Sequence, residues 1–199
     1  PPSPKKPPTT GHHKLRIIGG RWRSRTLSFP TVDGLRPTGD RIRETLFNWL
    51  APILPGSRCL DLFAGSGILG FEALSRGAAH CSLVELNAQA ARQLRANAEQ
   101  LQADNAAIFQ MNAQEFLAKP VTEPFDVVFM DPPFAGNLWQ PVMELLEKGW
   151  LREDALIYVE SPPDLALNPP ATWYSHREKR AGQVCYRLYR RETNRNPPV

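Results

Sequence analysis

Apolar and polar positions in this chain form blocks that predict strands and helices in regular succession. Beyond the N-terminal part, apolar segments such as RCLDLF (58–63) and FDVVFM (125–130) are separated by helical patterns such as AQAARQLRANAEQLQ (88–102). This alternation is typical of a parallel sheet with helices on both faces. Two strand-like segments, ATWYSHREKR (171–180) and GQVCYRLYRR (182–191), then follow without a helix between them. We therefore predict an α/β fold whose mostly parallel sheet ends in an antiparallel hairpin.

The N-terminal part has a different pattern. LRIIGGRWRSRTLSFP (15–30) predicts two short strands around Gly19 and Gly20, and thus a β-hairpin. Alternate side chains of a strand share a face, so three arginines of this segment are expected on one side of the hairpin. They are Arg21, Arg23 and Arg25.

A helix is predicted next, over RPTGDRIRETLFNWL (36–50). Pro37 marks its start, and Thr38 is the candidate N-cap. The Pro-rich, polar start of the chain is typical of disorder. We therefore divide the chain into a disordered leader (1–13), a basic extension of hairpin and helix (14–50), a main domain (51–192) and a flexible tail (193–199).

Charge is segregated along the chain, although the net charge is only +4. Residues 1–50 carry a net charge of +7, residues 51–174 carry −8, and residues 175–199 carry +5. Basic ends around an acidic centre indicate a polyanion held at the periphery of the molecule. The acidic centre suits a cationic small molecule.

Composition narrows the class of protein further. No apolar run approaches the roughly 18 residues that a membrane-spanning helix needs, and no signal peptide opens the sequence. Cys59, Cys81 and Cys185 lie in strand-like segments and form no CxxC pair, which indicates reduced, buried thiols and a cytoplasmic protein. The four histidines lack zinc-site spacing, so we expect no metal.

A glycine-rich loop follows the first strand of the main domain. In DLFAGSGILG (61–70), Gly65, Gly67 and Gly70 match GxGxxG, and Glu85 ends the next strand, where an acid can bind ribose hydroxyls. A dinucleotide-binding fold has the same pattern, so the glycines alone do not identify the ligand.

Asp61 distinguishes between the possible ligands. Its carboxylate, four residues before Gly65, would repel a pyrophosphate but would accept an amino-acid ammonium, directly or through water. S-adenosylmethionine combines adenosine, an amino-acid moiety and a positive charge. Here the sequence resembles the class I methyltransferases, in which motifs similar to DLFAGSG (61–67) and LVELN (83–87) bind that molecule. The resemblance implies a Rossmann-like, seven-stranded sheet and an adenine contact at Asn112 and Ala113.

The end of the fourth strand of the predicted sheet carries DPPF (131–134). An exocyclic base amine is a poor nucleophile. The Asp131 carboxylate and the Pro132 carbonyl can accept hydrogen bonds from its two N–H groups and so direct the nitrogen at a methyl donor. Pro133 stiffens the turn, and Phe134 can stack on a base that has left its neighbours. The segment resembles the [DNS]PP[YFW] motif of amino-group methyltransferases.

The N-terminal segment, residues 16–50, indicates which group of amino-group methyltransferases the chain resembles. RIIGGRWRSRTL (16–27) followed by LRPTGDRIRETLFNWL (35–50) resembles the RsmD-type guanine-N2 methyltransferases of bacterial 16S rRNA, and the likeness extends over residues 14 to 191. It implies a guanine of the small ribosomal subunit as target, within the subunit or an assembly intermediate, and S-adenosylhomocysteine as product. It also implies that Thr38 caps the donor pocket. We expect a monomer.

Together these arguments give two sets of candidate residues. The candidate cofactor-binding residues are Thr38, Asp61, Phe63, Ala64, Gly65, Ser66, Gly67, Glu85, Leu86, Asn112 and Ala113. The candidate phosphate contacts are Arg16, Arg21, Arg23, Arg25, Arg36, Arg41 and Arg43.

Three other functions are compatible with parts of the pattern. A DNA adenine-N6 methyltransferase shares the DPPF motif, but the chain has no room for a large target-recognition domain. A non-catalytic RNA-binding module on the same fold would not need Asp61, Glu85 and the DPPF motif. A nicotinamide oxidoreductase would leave Asp131 and Phe134 without a role.

Overall fold

The structure, a computed structural model, describes residues 12–32 and 37–193. Its strands are β1 (His12–Arg16), β2 (Thr26–Pro30), β3 (Arg58–Asp61), β4 (His80–Val84), β5 (Ala106–Phe109), β6 (Phe125–Met130), β7 (Leu151–Ser161), β8 (Trp173–Ala181) and β9 (Val184–Arg191). Its helices are α1 (Asp40–Leu50), α2 (Ile68–Ser75), α3 (Ala88–Gln100), α4 (Ala113–Leu117) and α5 (Trp139–Leu146). None of these described helices has the length and apolar character that crossing a membrane requires.

Seven strands form one sheet in the order β5-β4-β3-β6-β7-β9-β8. The strands from β5 to β7 are parallel, and β9 pairs antiparallel with both β7 and β8. The predicted α/β fold with a C-terminal antiparallel hairpin is confirmed. The chain moves from β3 outward to β5 and then returns to the other side of β3 as β6. A crevice therefore opens beyond the ends of β3 and β6, where the direction of winding reverses.

Helices cover both faces of the sheet. On one face, α1, α2, α3 and the N-terminal hairpin bury side chains such as Phe47 and Phe71 against Phe129 of β6. On the other face, α4 and α5 bury Val142 and others against Met130. Adjacent residues of β6 thus contribute to opposite cores, as the two-residue period of a strand requires. A parallel sheet needs this double cover because both of its faces are apolar.

The N-terminal hairpin is anchored to the main domain through the loop 17–25. Gly20 has φ +79°, and a Cβ there would lie 1.9 Å from the main-chain oxygen of Ser75. The same oxygen accepts a hydrogen bond from the Arg21 amide at 2.9 Å, and the Ser75 hydroxyl accepts one from the Trp22 amide at 3.0 Å. The glycine is thus required for close approach to the end of α2. The predicted antiparallel hairpin is confirmed, but the loop 17–25 joins its strands, and Gly19 and Gly20 do not form a tight turn between them.

The prediction that the three loop arginines share one face of a strand was wrong. Arg21 and Arg23 lie in consecutive turns and Arg25 precedes β2, so they do not share a strand face, although all three are exposed. β1 begins at His12, so the hairpin starts within the last two residues assigned to the leader. The rest of the predicted leader, residues 33–36 and the tail from 194 lie outside the described residues.

The start of α1 differs from the prediction as well. Gly39, with an extended backbone, occupies the N-cap position, and no side chain caps the helix. The Thr38 hydroxyl instead donates a hydrogen bond to Oε2 of Glu160 at 3.3 Å. Thr38 therefore connects the segment before α1 to the end of β7.

The three cysteines are free and buried, as predicted. Burial raises the pKa of the Cys59 thiol to about 12 and raises the pKa of Cys81 as well. Both thiols therefore stay protonated near neutral pH and act as small apolar side chains of the sheet.

Candidate active site

A cavity of about 1170 Å³ opens at the crevice beyond β3 and β6. The loops after β3, β4, β5, β6 and β7 form its wall, together with the segment before α1 and the tip of the β8–β9 hairpin. It gathers almost all predicted cofactor-binding and catalytic residues: Thr38, Asp61, Phe63, Ala64, Gly65, Ser66, Glu85, Leu86, Asn112, Ala113, Asp131, Pro132, Pro133 and Phe134. Residues from widely separated parts of the sequence therefore share one site.

Gly67 is the predicted cofactor-binding residue that does not line this cavity. It precedes α2 with φ +80°, and a Cβ there would lie 2.4 Å from Cδ2 of Leu94 and 2.8 Å from the Phe71 ring. The glycine allows the loop to turn into α2 while α3 packs against it. Its role is the geometry of the loop, whereas Gly65 lies at the cavity wall.

The Glu85 carboxylate is held at the end of β4 by two main-chain amides. Its Oε1 accepts a hydrogen bond from Gly65 at 3.0 Å, and its Oε2 accepts one from Asn87 at 2.8 Å. Each carboxylate oxygen can accept a further hydrogen bond. The side chain is half-buried and lines the cavity, so it is oriented to accept from a pair of neighbouring hydroxyl groups.

The Asn112 side chain has a structural role that the sequence did not indicate. Its amide oxygen accepts from the Glu115 amide at 2.7 Å as the N-cap of α4, and its amide nitrogen donates to the Glu115 carboxylate at 2.6 Å. A contact to adenine at this position would therefore depend mainly on backbone groups, such as those of Asn112 and Ala113.

Asp61 is an acid in an environment that disfavours its charge. The residue is buried, and Oδ2 accepts a hydrogen bond from the Gly70 amide at 3.2 Å. Burial, with a smaller contribution from the neighbouring Glu85, raises the pKa of Asp61 to about 7. A cation bound in the cavity would favour the ionised form. This fits the ammonium of an amino-acid moiety.

Asp131 lies beside a second acid, Glu160, which the sequence analysis did not single out. Glu160 is the penultimate residue of β7, is 5% exposed and lines the cavity. Burial, a hydrogen bond to the Glu160 carboxyl group and the charges of Glu160 and Asp61 raise the pKa of Asp131 well above its usual range. The rule that identified Asp61, Glu85 and Asp131, an acid at the carboxyl end of a strand, also applies to Glu160.

Phe134 is the exposed aromatic residue of the DPPF segment. Its residue exposure is 44%, which is high for a phenylalanine, and its ring centroid lies 5.8 Å from that of the buried Trp139. The Trp139 indole donates a hydrogen bond to the main-chain oxygen of Glu160 at 2.8 Å. The phenyl ring thus stands at the cavity wall against a fixed indole, with surface free to stack on a planar group.

The predicted phosphate-binding arginines fall into three groups. Five of them are exposed: Arg16, Arg21, Arg23, Arg25 and Arg41. Arg36 lies outside the described residues. Arg43 is completely buried, so its guanidinium is not available to a phosphate, and its assignment as an RNA contact was wrong.

Arg43 instead forms the centre of a buried polar network. It donates to the main-chain oxygens of Thr38 at 3.0 Å and Arg16 at 2.9 Å, and it pairs with Glu72 at 3.3 Å and with Asp40. Glu72 also accepts from two amides of the hairpin loop. The network therefore links the hairpin, α1 and α2 to the segment that carries Thr38.

Further cavity residues, which were not predicted from the sequence, come from the C-terminal part of the chain. Pro162 and Pro163 follow β7, and the tip of the last hairpin contributes Gln183, Val184 and Tyr186. No local pattern marks the residues of the hairpin, because they reach the cavity only through the pairing of β9 with β7. Within the described ranges, no group of three His, Cys, Asp or Glu side chains is arranged to hold a metal ion.

The strand order, the glycine loop and the acids at the strand ends define a class I methyltransferase. A family described as conserved hypothetical protein 95 matches residues 15–190. Ribosomal RNA small subunit methyltransferase D of Escherichia coli strain K12 is 54% identical over 190 residues, which cover 94% of this chain and 96% of that protein. The protein of the same name from Haemophilus influenzae is 49% identical over 180 residues, covering 88% and 93% of the two chains.

A solved structure agrees with the sequence relatives. That of yhhF from Escherichia coli is 53% identical, with a TM-score of 0.84 over 92% of this chain and all of the other. The chain belongs to the conserved hypothetical protein 95 family, which is the RsmD family.

Proposed function

We propose that this protein transfers a methyl group from S-adenosylmethionine to the exocyclic N2 amine of a guanine in 16S rRNA. The observation that carries the proposal is the position of Asp131 and Phe134. They line the same cavity as the glycine loop and Glu85, so an amine held by them would be close to a donor held by that loop.

The residues of the cavity fit S-adenosylmethionine. Glu85 would accept the ribose hydroxyls, since its carboxylate is fixed by two amides and faces the cavity. Asp61 would balance the positive charges of the ligand, which supports its ionised form. When bound, this cofactor supplies an electrophilic methyl group on a positively charged sulfur.

The DPPF segment would then hold and activate the base. The Asp131 carboxylate and the Pro132 carbonyl accept hydrogen bonds from the two N–H groups of the amine. These hydrogen bonds direct the nitrogen lone pair into the cavity. The cationic donor, when bound nearby, would favour the ionised form of Asp131. That carboxylate stabilises the positive charge that develops on the nitrogen and takes up the released proton, for which its raised pKa makes it the stronger base. Phe134 stacks on the base and replaces the stacking that the base loses on leaving its neighbours.

The exposed arginines of the N-terminal extension would hold the RNA backbone. Arg16, Arg21, Arg23, Arg25 and Arg41 are the phosphate contacts that the structure leaves exposed. The chain is positive at both ends and negative between residues 51 and 174, which supports a polyanion such as RNA as the partner of its ends. We extend the proposal to a cytoplasmic monomer that acts on the small ribosomal subunit or on an assembly intermediate.

Replacing Asp131 by alanine tests the mechanism. We expect Asp131→Ala to abolish methyl transfer to small-subunit RNA and to leave binding of S-adenosylhomocysteine within about threefold. Transfer from a labelled donor and isothermal calorimetry measure the two quantities, and Asp104→Ala, at an exposed site, is the matched control. Near-normal turnover of Asp131→Ala would refute the mechanism. Faster transfer to duplex DNA than to RNA, with N6-methyladenine as product, would refute the proposed substrate.

A further inference from the structure

Glu160 and Asp131 lie side by side because their strands are neighbours. β6 and β7 pair in parallel, with Met130 opposite Val159, so the next residue of each chain segment reaches the cavity at the same level. Both side chains line the same cavity. A site built from two adjacent carboxyl groups is rich in hydrogen-bond acceptors.

No cation within the described part of the chain balances these two acids. None of the ion pairs there includes Asp131 or Glu160. For Glu160, the Thr38 hydroxyl donates to one oxygen at 3.3 Å and Asp131 is a second partner. A carboxylate has about four lone-pair positions, so acceptor capacity remains in a residue that is 95% buried. Buried acceptors that keep free capacity in a ligand cavity favour a ligand that brings several donors.

The Watson–Crick edge of guanine matches this requirement, whereas that of adenine does not. Guanine presents the N1–H donor next to the two N–H donors of its N2 amine. Adenine presents a lone pair at N1 next to its amine, and that lone pair would face a carboxylate oxygen. A flipped base is read by hydrogen bonds to this edge, and a buried acceptor left opposite another acceptor is strongly unfavourable.

We propose that Glu160 selects guanine by accepting the N1–H of the target base while Asp131 accepts from its N2 amine. This inference rests on the proposed function and adds to it the residue that determines the base. Glu160 contacts the substrate without taking part in the transfer. The side-chain amide of glutamine at this position would be able to donate a hydrogen bond to a lone pair at N1. The preference for a base with N1–H over a base with a lone pair at N1 would therefore decrease.

The test compares two RNAs that differ at one base, once the methylated nucleotide has been mapped with the parent enzyme. One carries guanine there, and the other carries 2-aminopurine, which keeps the 2-amine but has a lone pair at N1 and no oxygen at C6. For the parent enzyme we expect kcat/KM to be about 10- to 100-fold lower with 2-aminopurine, the effect of one hydrogen bond to a charged group. Glu160→Gln is expected to bring the ratio close to one or to reverse it.

Two controls separate selection from structural damage. Glu99→Gln, an exposed residue of α3, removes the same charge away from the cavity and should keep the parent ratio. Binding of S-adenosylhomocysteine and the Tm of Glu160→Gln should remain close to those of the parent.

Three results would overturn the assignment. They are equal activity of the parent enzyme on both RNAs, an unchanged ratio in Glu160→Gln (whether activity is kept or falls equally on both RNAs), and a ratio in that variant that moves further in favour of guanine. Formation of N2-methylguanosine by the parent enzyme in the same experiment keeps the proposed function intact in each case. Its absence from the guanine RNA would refute the proposed function itself.

Discussion

Replacing Arg43 by alanine should destabilise the whole fold, although this arginine stands in a sequence that resembles an RNA-binding segment. Its guanidinium has no exposed surface and joins four partners from three parts of the chain. In Arg43→Ala, the main-chain oxygens of Arg16 and Thr38 lose their donor. Glu72, which is also fully buried, loses one of its two cationic partners and keeps only Arg76.

The magnitude follows from the burial of the pair. Removing one partner of a buried ion pair costs about 3–5 kcal/mol, because the remaining charge is left without full compensation. Summing the individual hydrogen bonds would overestimate the loss, since water enters part of the space. For a chain of this length, each kcal/mol lowers the Tm by about 2–4 °C. The expected decrease in Tm is therefore about 6–20 °C.

The measurement is thermal unfolding by calorimetry or circular dichroism, with Arg41→Ala as the matched control. Arg41 lies on the same helix but is exposed, so its loss should change the free energy of unfolding by less than about 0.5 kcal/mol. Arg41→Ala should weaken RNA binding instead. If Arg43→Ala unfolds within about 2 °C of the parent, or no earlier than Arg41→Ala, the buried network does not stabilise the fold as we infer.

Two further predictions concern a buried acid in the cavity and the exposed arginines of the hairpin loop. The pKa of Asp61 is about 7 in the folded state and is near 3.8 without burial, so the parent loses stability as pH rises from about 4 to 7. Asp61→Asn should therefore raise the free energy of unfolding by up to about 4 kcal/mol above pH 7 and by little near pH 4. The same variant should bind the cofactor more weakly. An equal gain in the free energy of unfolding at pH 4.5 and pH 8, measured by calorimetry, would contradict this prediction. Replacing Arg21, Arg23 and Arg25 together by glutamine should weaken RNA binding and reduce the slope of log K against log salt concentration by up to about 3. The slope from filter binding should not change in Lys148→Gln, which lies on the other side of the sheet, and an unchanged slope in the triple variant would remove the hairpin loop from the interface.

Local patterns were sufficient for the parts of the site that lie in one segment. The glycine loop after β3 and the DPPF segment after β6 each follow an apolar strand and combine turn residues with an acid, Asp61 or Asp131, whose charge indicates a ligand. The carboxyl ends of parallel strands meet at one edge of a sheet, so the predicted parallel fold is sufficient to bring Asp61, Glu85 and Asp131 close together. The structure places all three on one cavity.

Predictions failed where a residue type has two physical roles that only its surroundings distinguish. A glycine pair between two strands suits a tight turn, but Gly20 is required by the approach of Ser75. An arginine in a basic helix suits a phosphate, but Arg43 faces the buried carboxylate of Glu72. A threonine before a helix suits an N-cap, but the Thr38 hydroxyl donates to Glu160. In each case the partner is more than 25 residues away in sequence.

The sequence by itself determined the order of strands and helices, the glycine loop and the residues of the DPPF segment, because these depend on periodicity and on chemistry within short stretches of chain. Tertiary structure decided which polar groups are buried together. The insertion of β9 beside β7 brought Tyr186 to the cavity, and the pairing of β6 with β7 placed Glu160 beside Asp131. The energy of a buried charge depends on neighbours that the chain supplies from a distance, so no local pattern could specify it.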